Sequence, residues 1–170
     1  MADRGTPCRD RDAARAECRR ALTLALLAAL PISPAVAADP VATPVAMPAL
    51  RVVGDGIPEP LAAGPGDAAR GRALIVARDS ANCVLCHALP EGAVRFAGDV
   101  GPSLAGIGAR FTAPQLRLRV ADNLRLNPTT IMPSYYKVDG LERVAPAYRG
   151  KPILSATEIE DVVAYLATLR

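Results

Sequence analysis

Two cysteines three positions apart, followed at once by a histidine, constrain this chain more than any other feature. The run is Cys83-Val84-Leu85-Cys86-His87, and His87 is the only histidine in the 170 residues. One helical turn brings both thiols to the two vinyl groups of a porphyrin, and the next imidazole then points at the iron. The pattern therefore predicts one haem, attached covalently at Cys83 and Cys86, with His87 as an axial ligand.

The same cysteine spacing also occurs in redox dithiols and in halves of zinc sites. A thioredoxin-like dithiol is expected between a strand and a helix, and a zinc site needs two further ligands. The two other cysteines, Cys8 and Cys18, fall in a predicted leader, so the exported chain would hold no further cysteine or histidine. Haem attachment is therefore favoured over both alternatives.

The N-terminus has the composition of a secretion signal. Six arginines, with acidic residues between them, precede and adjoin the apolar run 21–30, which is too short to span a bilayer. Ala35-Val36-Ala37 then supplies a small-x-small cleavage site. We expect residues 1–37 to be a signal peptide cleaved after Ala37, which would place the mature protein in the periplasm. An uncleaved membrane anchor is the alternative.

The expected mature chain is close to neutral. Residues 1–37 hold six of the 20 basic residues and four of the 17 acidic residues, so their removal lowers the net charge from +3 to +1. Such a charge gives no electrostatic basis for binding nucleic acid or an anionic membrane.

The distribution of prolines and glycines divides the rest of the chain into an N-terminal segment and a helical domain. The segment 38–66 contains six prolines and four glycines, which disfavour both helix and strand. We interpret it as an extended N-terminal arm that stays apart from the haem fold, either as a disordered tether or as a partner-binding arm.

Residues 67–170 are predicted to form an all-α domain. Asp67 is a good N-cap for a helix that runs to Ala77, and Thr112 with Pro114 opens another over 113–124. Ser155 and Glu158 form a capping box before the last helix. The expected mature chain has no Trp and six aromatic residues, all after Cys86, so its core alone would be thin. A buried haem, lined by segments that carry these aromatics, would complete the core.

The methionines are the candidates for the second axial ligand of the haem iron. Met132 lies between Ile131 and Pro133 in a loop stiffened by two prolines, whereas Met47 lies in the arm. A thioether on a stiff loop loses little entropy on binding iron, so Met132 is predicted to ligate the haem, with a gap-filling core role as the alternative. The carbonyl of Pro102 is the candidate acceptor for the second ring nitrogen of His87.

The order of these features resembles a class I cytochrome c over roughly 67–170. Four runs of sequence are similar to those of the SoxX family. They are Thr130-Ile131-Met132-Pro133-Ser134-Tyr135-Tyr136, Arg143-Val144-Ala145-Pro146, Arg149-Gly150-Lys151-Pro152-Ile153-Leu154 and Glu160-Asp161-Val162-Val163-Ala164-Tyr165-Leu166. SoxX proteins are monohaem subunits of the bacterial thiosulfate-oxidising system. They pair with a second cytochrome subunit, SoxA, and the pair couples thiosulfate oxidatively to a cysteine of a carrier protein. The resemblance implies haem attachment at Cys83 and Cys86, with His87 and Met132 as ligands.

Three functions remain open from the sequence. The resemblance implies an electron-transfer subunit that has a SoxA-like partner and a sulfur carrier and reduces a small soluble acceptor. We expect this subunit not to be catalytic itself, because the motif cysteines would be thioethers and His87 and Met132 would occupy the iron. The haem motif alone is equally consistent with a free periplasmic electron shuttle. A haem enzyme with an open iron position is disfavoured by a Met132 ligand. Lys137 and Arg143 are candidates for steering partners, or are simply solvated charges.

Overall fold

The computed structural model describes residues 47–90 and 94–170. The predicted signal peptide and the first part of the arm lie outside these residues. Within the described residues the α-helices are α1 (Ala68–Val76), α2 (Ile107–Arg110), α3 (Ala113–Asp122) and α4 (Ala156–Thr168). Short 3₁₀ turns lie at Cys83–Leu85, Asn123–Arg125 and Pro146–Tyr148. The extended pairing in this part of the chain is a single bridge between Val53 and Gly56, so the all-α prediction is confirmed.

Local capping sets where α1 and α4 begin, as the sequence predicts. The Asp67 carboxylate accepts a hydrogen bond from the Arg70 N–H at 2.9 Å, which satisfies a donor at the start of α1. At α4, the Ser155 hydroxyl accepts from the Glu158 N–H at 3.3 Å, and the Glu158 carboxylate accepts from the Ser155 N–H at 2.8 Å. Both predicted N-caps are confirmed.

Helix α3 is shorter than the sequence predicts. It begins after Thr112, whose N–H donates to the Gln115 side chain at 2.9 Å. It ends at Asp122, and the chain continues in the tighter turn Asn123–Arg125 instead of extending the α-helix to residue 124. Helix ends often tighten in this way, since the last carbonyls lack α-helical partners.

Helices α1 and α4 cross with their backbones in direct contact, and glycine makes this possible. A Cβ atom built on Gly71 would lie 1.9 Å from the carbonyl oxygen of Asp161. Any side chain at position 71 would therefore force the helices apart. On the inner face of α4, the residues that its helical period predicts to face the core are buried, namely Ile159, Val162, Val163 and Leu166. Leu169, just beyond the end of the helix, is buried as well.

The described part of the N-terminal arm packs on the helical domain, so the expectation that the arm stays apart is wrong for residues 50–61. Ile57 is 2% exposed, and its N–H donates to the carbonyl of Pro114 at 3.0 Å. Its own carbonyl accepts from Arg117 at 2.6 Å, and the Leu61 N–H donates to Glu160 at 2.8 Å. Prolines and glycines prevent the segment from forming a helix, but they do not prevent docking as extended chain.

A buried ion pair organises this contact. Arg117 on α3 and Glu160 on α4 form two parallel hydrogen bonds of 2.7 and 2.8 Å. Their side chains are only 6% and 7% exposed. Because each also binds the backbone of the N-terminal segment, the pair connects three parts of the chain that lie far apart in sequence.

No helix in residues 47–90 or 94–170 has the length and apolar character that crossing a membrane requires.

Candidate haem site

The cysteine motif forms a tight turn in the wall of a cavity. Residues Cys83–Leu85 make a 3₁₀ turn, and the N–H groups of Cys86 and His87 both donate to the Cys83 carbonyl, at 3.1 and 3.0 Å. Asn82 enters this turn in the left-handed region, at φ 47°, a conformation that asparagine tolerates better than most residues. The turn brings Cys83, Cys86 and His87 to the lining of one cavity.

The environment of Cys83 is unlike that of a redox dithiol. Burial raises the pKa of the Cys83 thiol to about 11, so the free thiol is protonated at neutral pH. Reactive dithiols need a lowered pKa, because the thiolate is the nucleophile. A thioether has no ionisable proton, so the same apolar surroundings suit covalent attachment to a cofactor.

One nitrogen of the His87 ring is fixed by the backbone. Nδ1 lies 2.7 Å from the carbonyl oxygen of Pro102. A carbonyl can only accept, so Nδ1 carries a proton, and in the neutral ring Nε2 is then the nitrogen with a free lone pair. This is the tautomer that a metal-ligating histidine requires.

Gly101 allows the close approach of the Pro102 segment to His87. A Cβ at position 101 would lie 2.4 Å from Cε1 of the ring. The Gly101 N–H donates to the Cys86 carbonyl at 2.8 Å, which anchors this segment to the cysteine turn. The Gly-Pro pair is therefore a steric support for the imidazole as well as a turn.

The Met132 loop also contributes to the lining of this cavity. Met132 is half-buried and lines the same cavity as His87, whereas Met47 packs on the core away from that lining. The Met132 N–H donates to the Thr130 hydroxyl at 3.1 Å. The Tyr135 hydroxyl donates to the Ala81 carbonyl at 2.8 Å, which connects this loop to the segment just before Cys83.

The cavity has a volume of about 640 Å³, within the range of ~300–1,000 Å³ that cofactor sites occupy. Its wall is mostly apolar, and it includes Ile75, Leu104, Leu116, Val120, Val162 and Leu166. Two thiols, an imidazole and a thioether thus converge on an apolar space, and this donor set fits a covalently attached haem.

The comparison with known families decides the identity of the domain. The sequence profile of the cytochrome c family matches residues 68–170. This chain belongs to the cytochrome c family. Membership implies a covalently bound haem c and a role in electron transfer, which agrees with the cavity and its donors.

A solved structure shows a more specific similarity than the family profile does. A chain of the crystal structure of SoxXA from P. pantotrophus is 38% identical to this cytochrome, with a TM-score of 0.66. The alignment covers 71% of this chain and 93% of that chain. The resemblance to SoxX is therefore confirmed. No curated protein sequence matches this cytochrome significantly.

All five residues predicted for the site, Cys83, Cys86, His87, Pro102 and Met132, line the cavity. Sequence reasoning missed Arg119, which also lines it, and no motif marks that residue. Of the six aromatics, Phe111 and Tyr135 line the cavity, whereas Phe96 is 89% exposed. Lys137 and Arg143 are not among the lining residues.

Proposed function

We propose that this cytochrome is the electron-transfer subunit of a periplasmic complex that couples thiosulfate oxidatively to a cysteine of a carrier protein. Its partner would be a SoxA-like cytochrome subunit, and its acceptor a small soluble electron carrier. One observation supports this proposal above the others, the 38% identity to a SoxXA chain over 93% of that chain.

One haem would be held by four residues of this chain. Cys83 and Cys86 would form the thioethers, and His87 Nε2 and the Met132 sulfur would be the axial ligands. The support is that the Pro102 carbonyl fixes the His87 tautomer and that Met132 faces the same cavity. Haem c supplies one-electron oxidation and reduction, and a His/Met pair gives a comparatively high potential.

The coupling reaction itself is assigned to the partner. Thiosulfate and a carrier thiol form a sulfur–sulfur bond, the S–H bond breaks, and one proton and two electrons are released. Such a step needs an activated nucleophile or an open metal position. In this chain the two motif cysteines would be thioethers, and His87 and Met132 would occupy both axial positions. The subunit would therefore accept electrons across the interface, one at a time, and pass them on.

Reconstitution from purified components tests this division of labour. The subunit is assayed alone, with the partner, and with partner and carrier together, while haem absorbance follows reduction by thiosulfate. A carrier whose cysteine is replaced by serine is the matched control. We expect coupling and haem reduction only when partner, intact carrier and thiosulfate are all present. Coupling by the isolated subunit would contradict the assignment. A haem that the complete system leaves oxidised would also contradict the proposal, and the free electron shuttle would then be the alternative.

A further inference from the structure

The lining of the haem cavity contains two guanidinium groups, those of Arg110 and Arg119. Haem carries two carboxylate groups on an otherwise apolar ring. A carboxylate that leaves water needs hydrogen bonds or a cation to replace its hydration. A positive charge in this wall would meet that need, and it would also act on the charge of the iron.

Arg119 is the less exposed of the two. Its guanidinium carbon lies 3.9 Å from the centroid of the Phe111 ring, within the range of a cation–π contact. One of its nitrogens donates to the Gln115 carbonyl at 3.0 Å, and the side chain is 24% exposed. Arg110 is exposed at the surface, 6.0 Å from the same ring. The Arg110 guanidinium also has partners, since it donates to the carbonyls of Ser103 and Ala105 at 3.2 and 3.3 Å. Water screens its charge more strongly.

Asp55 of the N-terminal segment faces Arg119 from outside the helices. Its carboxylate lies 3.5 Å from an Arg119 nitrogen and accepts from the Gln115 side chain at 2.9 Å. Asp55 lies in a turn closed by two backbone hydrogen bonds between Val53 and Gly56, of 2.9 and 3.2 Å. This turn precedes residues 68–170, the range that the cytochrome c profile matches.

We infer that Arg119 provides the positive charge that a haem carboxylate meets in this cavity, and that Asp55 moderates this charge. The N-terminal turn would then adjust the reduction potential of a haem held by the helical domain. This inference rests on the cytochrome c family and the cavity, and it does not depend on thiosulfate as the substrate.

The two residues should shift the potential in opposite directions. A positive charge near the iron favours the ferrous state, which carries one positive charge fewer than the ferric state. Arg119→Gln should therefore lower the potential, and Asp55→Asn should raise it. We expect Arg119→Gln to change the ferrous-to-ferric ratio roughly three- to tenfold, because an effective dielectric of about 20 screens most of the charge. Asp55 is 52% exposed, so water screens its charge more strongly and Asp55→Asn should change the ratio less.

The exposed ion pair of Arg51 with Glu59 provides matched controls in the same protein. Their side chains are 72% and 55% exposed, and neither lines the cavity. Arg51→Gln and Glu59→Gln therefore make the same changes in net charge at a distance from the haem. Potentiometric titration of the haem proteins, with haem content measured in parallel, compares the four variants. Arg119→Lys, which keeps the charge but loses the planar stacking, should lie nearer to wild type than Arg119→Gln.

Equal shifts in Arg119→Gln and Arg51→Gln would overturn the inference, because net charge alone would then explain them. An Asp55→Asn potential that does not exceed that of Glu59→Gln would overturn the role of the turn. If Arg119→Gln fails to retain haem, Arg119→Lys and Asp55→Asn still test the inference. The inference is supported if Arg119→Lys keeps the wild-type reduction potential and Asp55→Asn raises it. A lowered potential in Arg119→Lys together with an unchanged or lowered potential in Asp55→Asn refutes it.

Discussion

The buried pair of Arg117 and Glu160 allows a strong test of how the N-terminal segment is held. Glu160→Gln removes the negative charge and changes the side-chain volume very little. In the wild type, the Glu160 carboxylate accepts hydrogen bonds from two Arg117 nitrogens and from the Leu61 N–H. The glutamine has only one acceptor oxygen, and its NH₂ group would face N–H donors.

The magnitude follows from the burial of both partners. With Glu160 neutral, the Arg117 charge stays in a site where its side chain is only 6% exposed. Breaking a buried ion pair from one side costs about 3–5 kcal/mol, because the remaining charge is unpaired. This range includes the unsatisfied donor, which alone costs about 1–3 kcal/mol. We therefore expect Glu160→Gln to lower the free energy of unfolding by about 3–5 kcal/mol.

Guanidinium chloride denaturation of the haem protein at neutral pH, followed by circular dichroism, measures this loss. Glu59→Gln is the control, since its exposed pair with Arg51 should contribute no more than about 1 kcal/mol. The double variant Arg117→Met with Glu160→Leu should recover part of the lost stability, because it removes both charges together. Recovery is incomplete because the Ile57 carbonyl and the Leu61 N–H lose their partners. If Glu160→Gln cost no more than Glu59→Gln, the reasoning would be refuted. A double variant as unstable as the single one would show that the unpaired charge does not cause the loss.

Three further predictions concern the arm, the iron ligand and pH. A chain that begins at Gly66 should melt at least about 5 °C lower, because it loses the buried Ile57 and its hydrogen bonds; an unchanged Tm would contradict the observed packing. Met132→Leu should abolish the far-red sulfur-to-iron absorbance of the ferric protein and lower its potential, whereas survival of that band would exclude Met132 as ligand. The hydrogen bonds from Arg70 hold the pKa of Asp161 below its ordinary value of 3.8, so this carboxylate stabilises the fold above that pH. The stability difference between wild type and Asp161→Asn should therefore be constant near neutral pH and shrink as pH falls below 3.8; a difference that persists under acid would contradict the linkage.

Local patterns predicted the features that depend on a few consecutive residues. Asp67 and Ser155 mark the starts of α1 and α4, because an N-cap acts on N–H groups two or three positions away. The motif from Cys83 to His87 indicated haem attachment, since its spacing matches one turn of chain. These interactions form within a few residues, so a single sequence contains the information needed to identify them.

The same kind of reasoning was wrong about the N-terminal segment. Its prolines and glycines correctly exclude a helix, but composition does not report whether extended chain finds partners on a distant surface. Those partners lie far along the chain, since Leu61 binds Glu160 across 99 positions. Burial of Ile57 and hydrogen bonds from the segment's backbone to the helices, and not secondary structure, hold this segment in place.

The sequence by itself indicated the haem-attachment motif and the capped starts of α1 and α4, because each of these patterns lies within a few consecutive residues. Only the tertiary structure shows which distant side chains lie around the predicted haem-binding residues. The Arg119 guanidinium between Phe111 and Asp55, and the crossing at Gly71, join segments that lie far apart along the chain. Which distant residues meet depends on how the helices pack as a whole, and no local pattern contains that information.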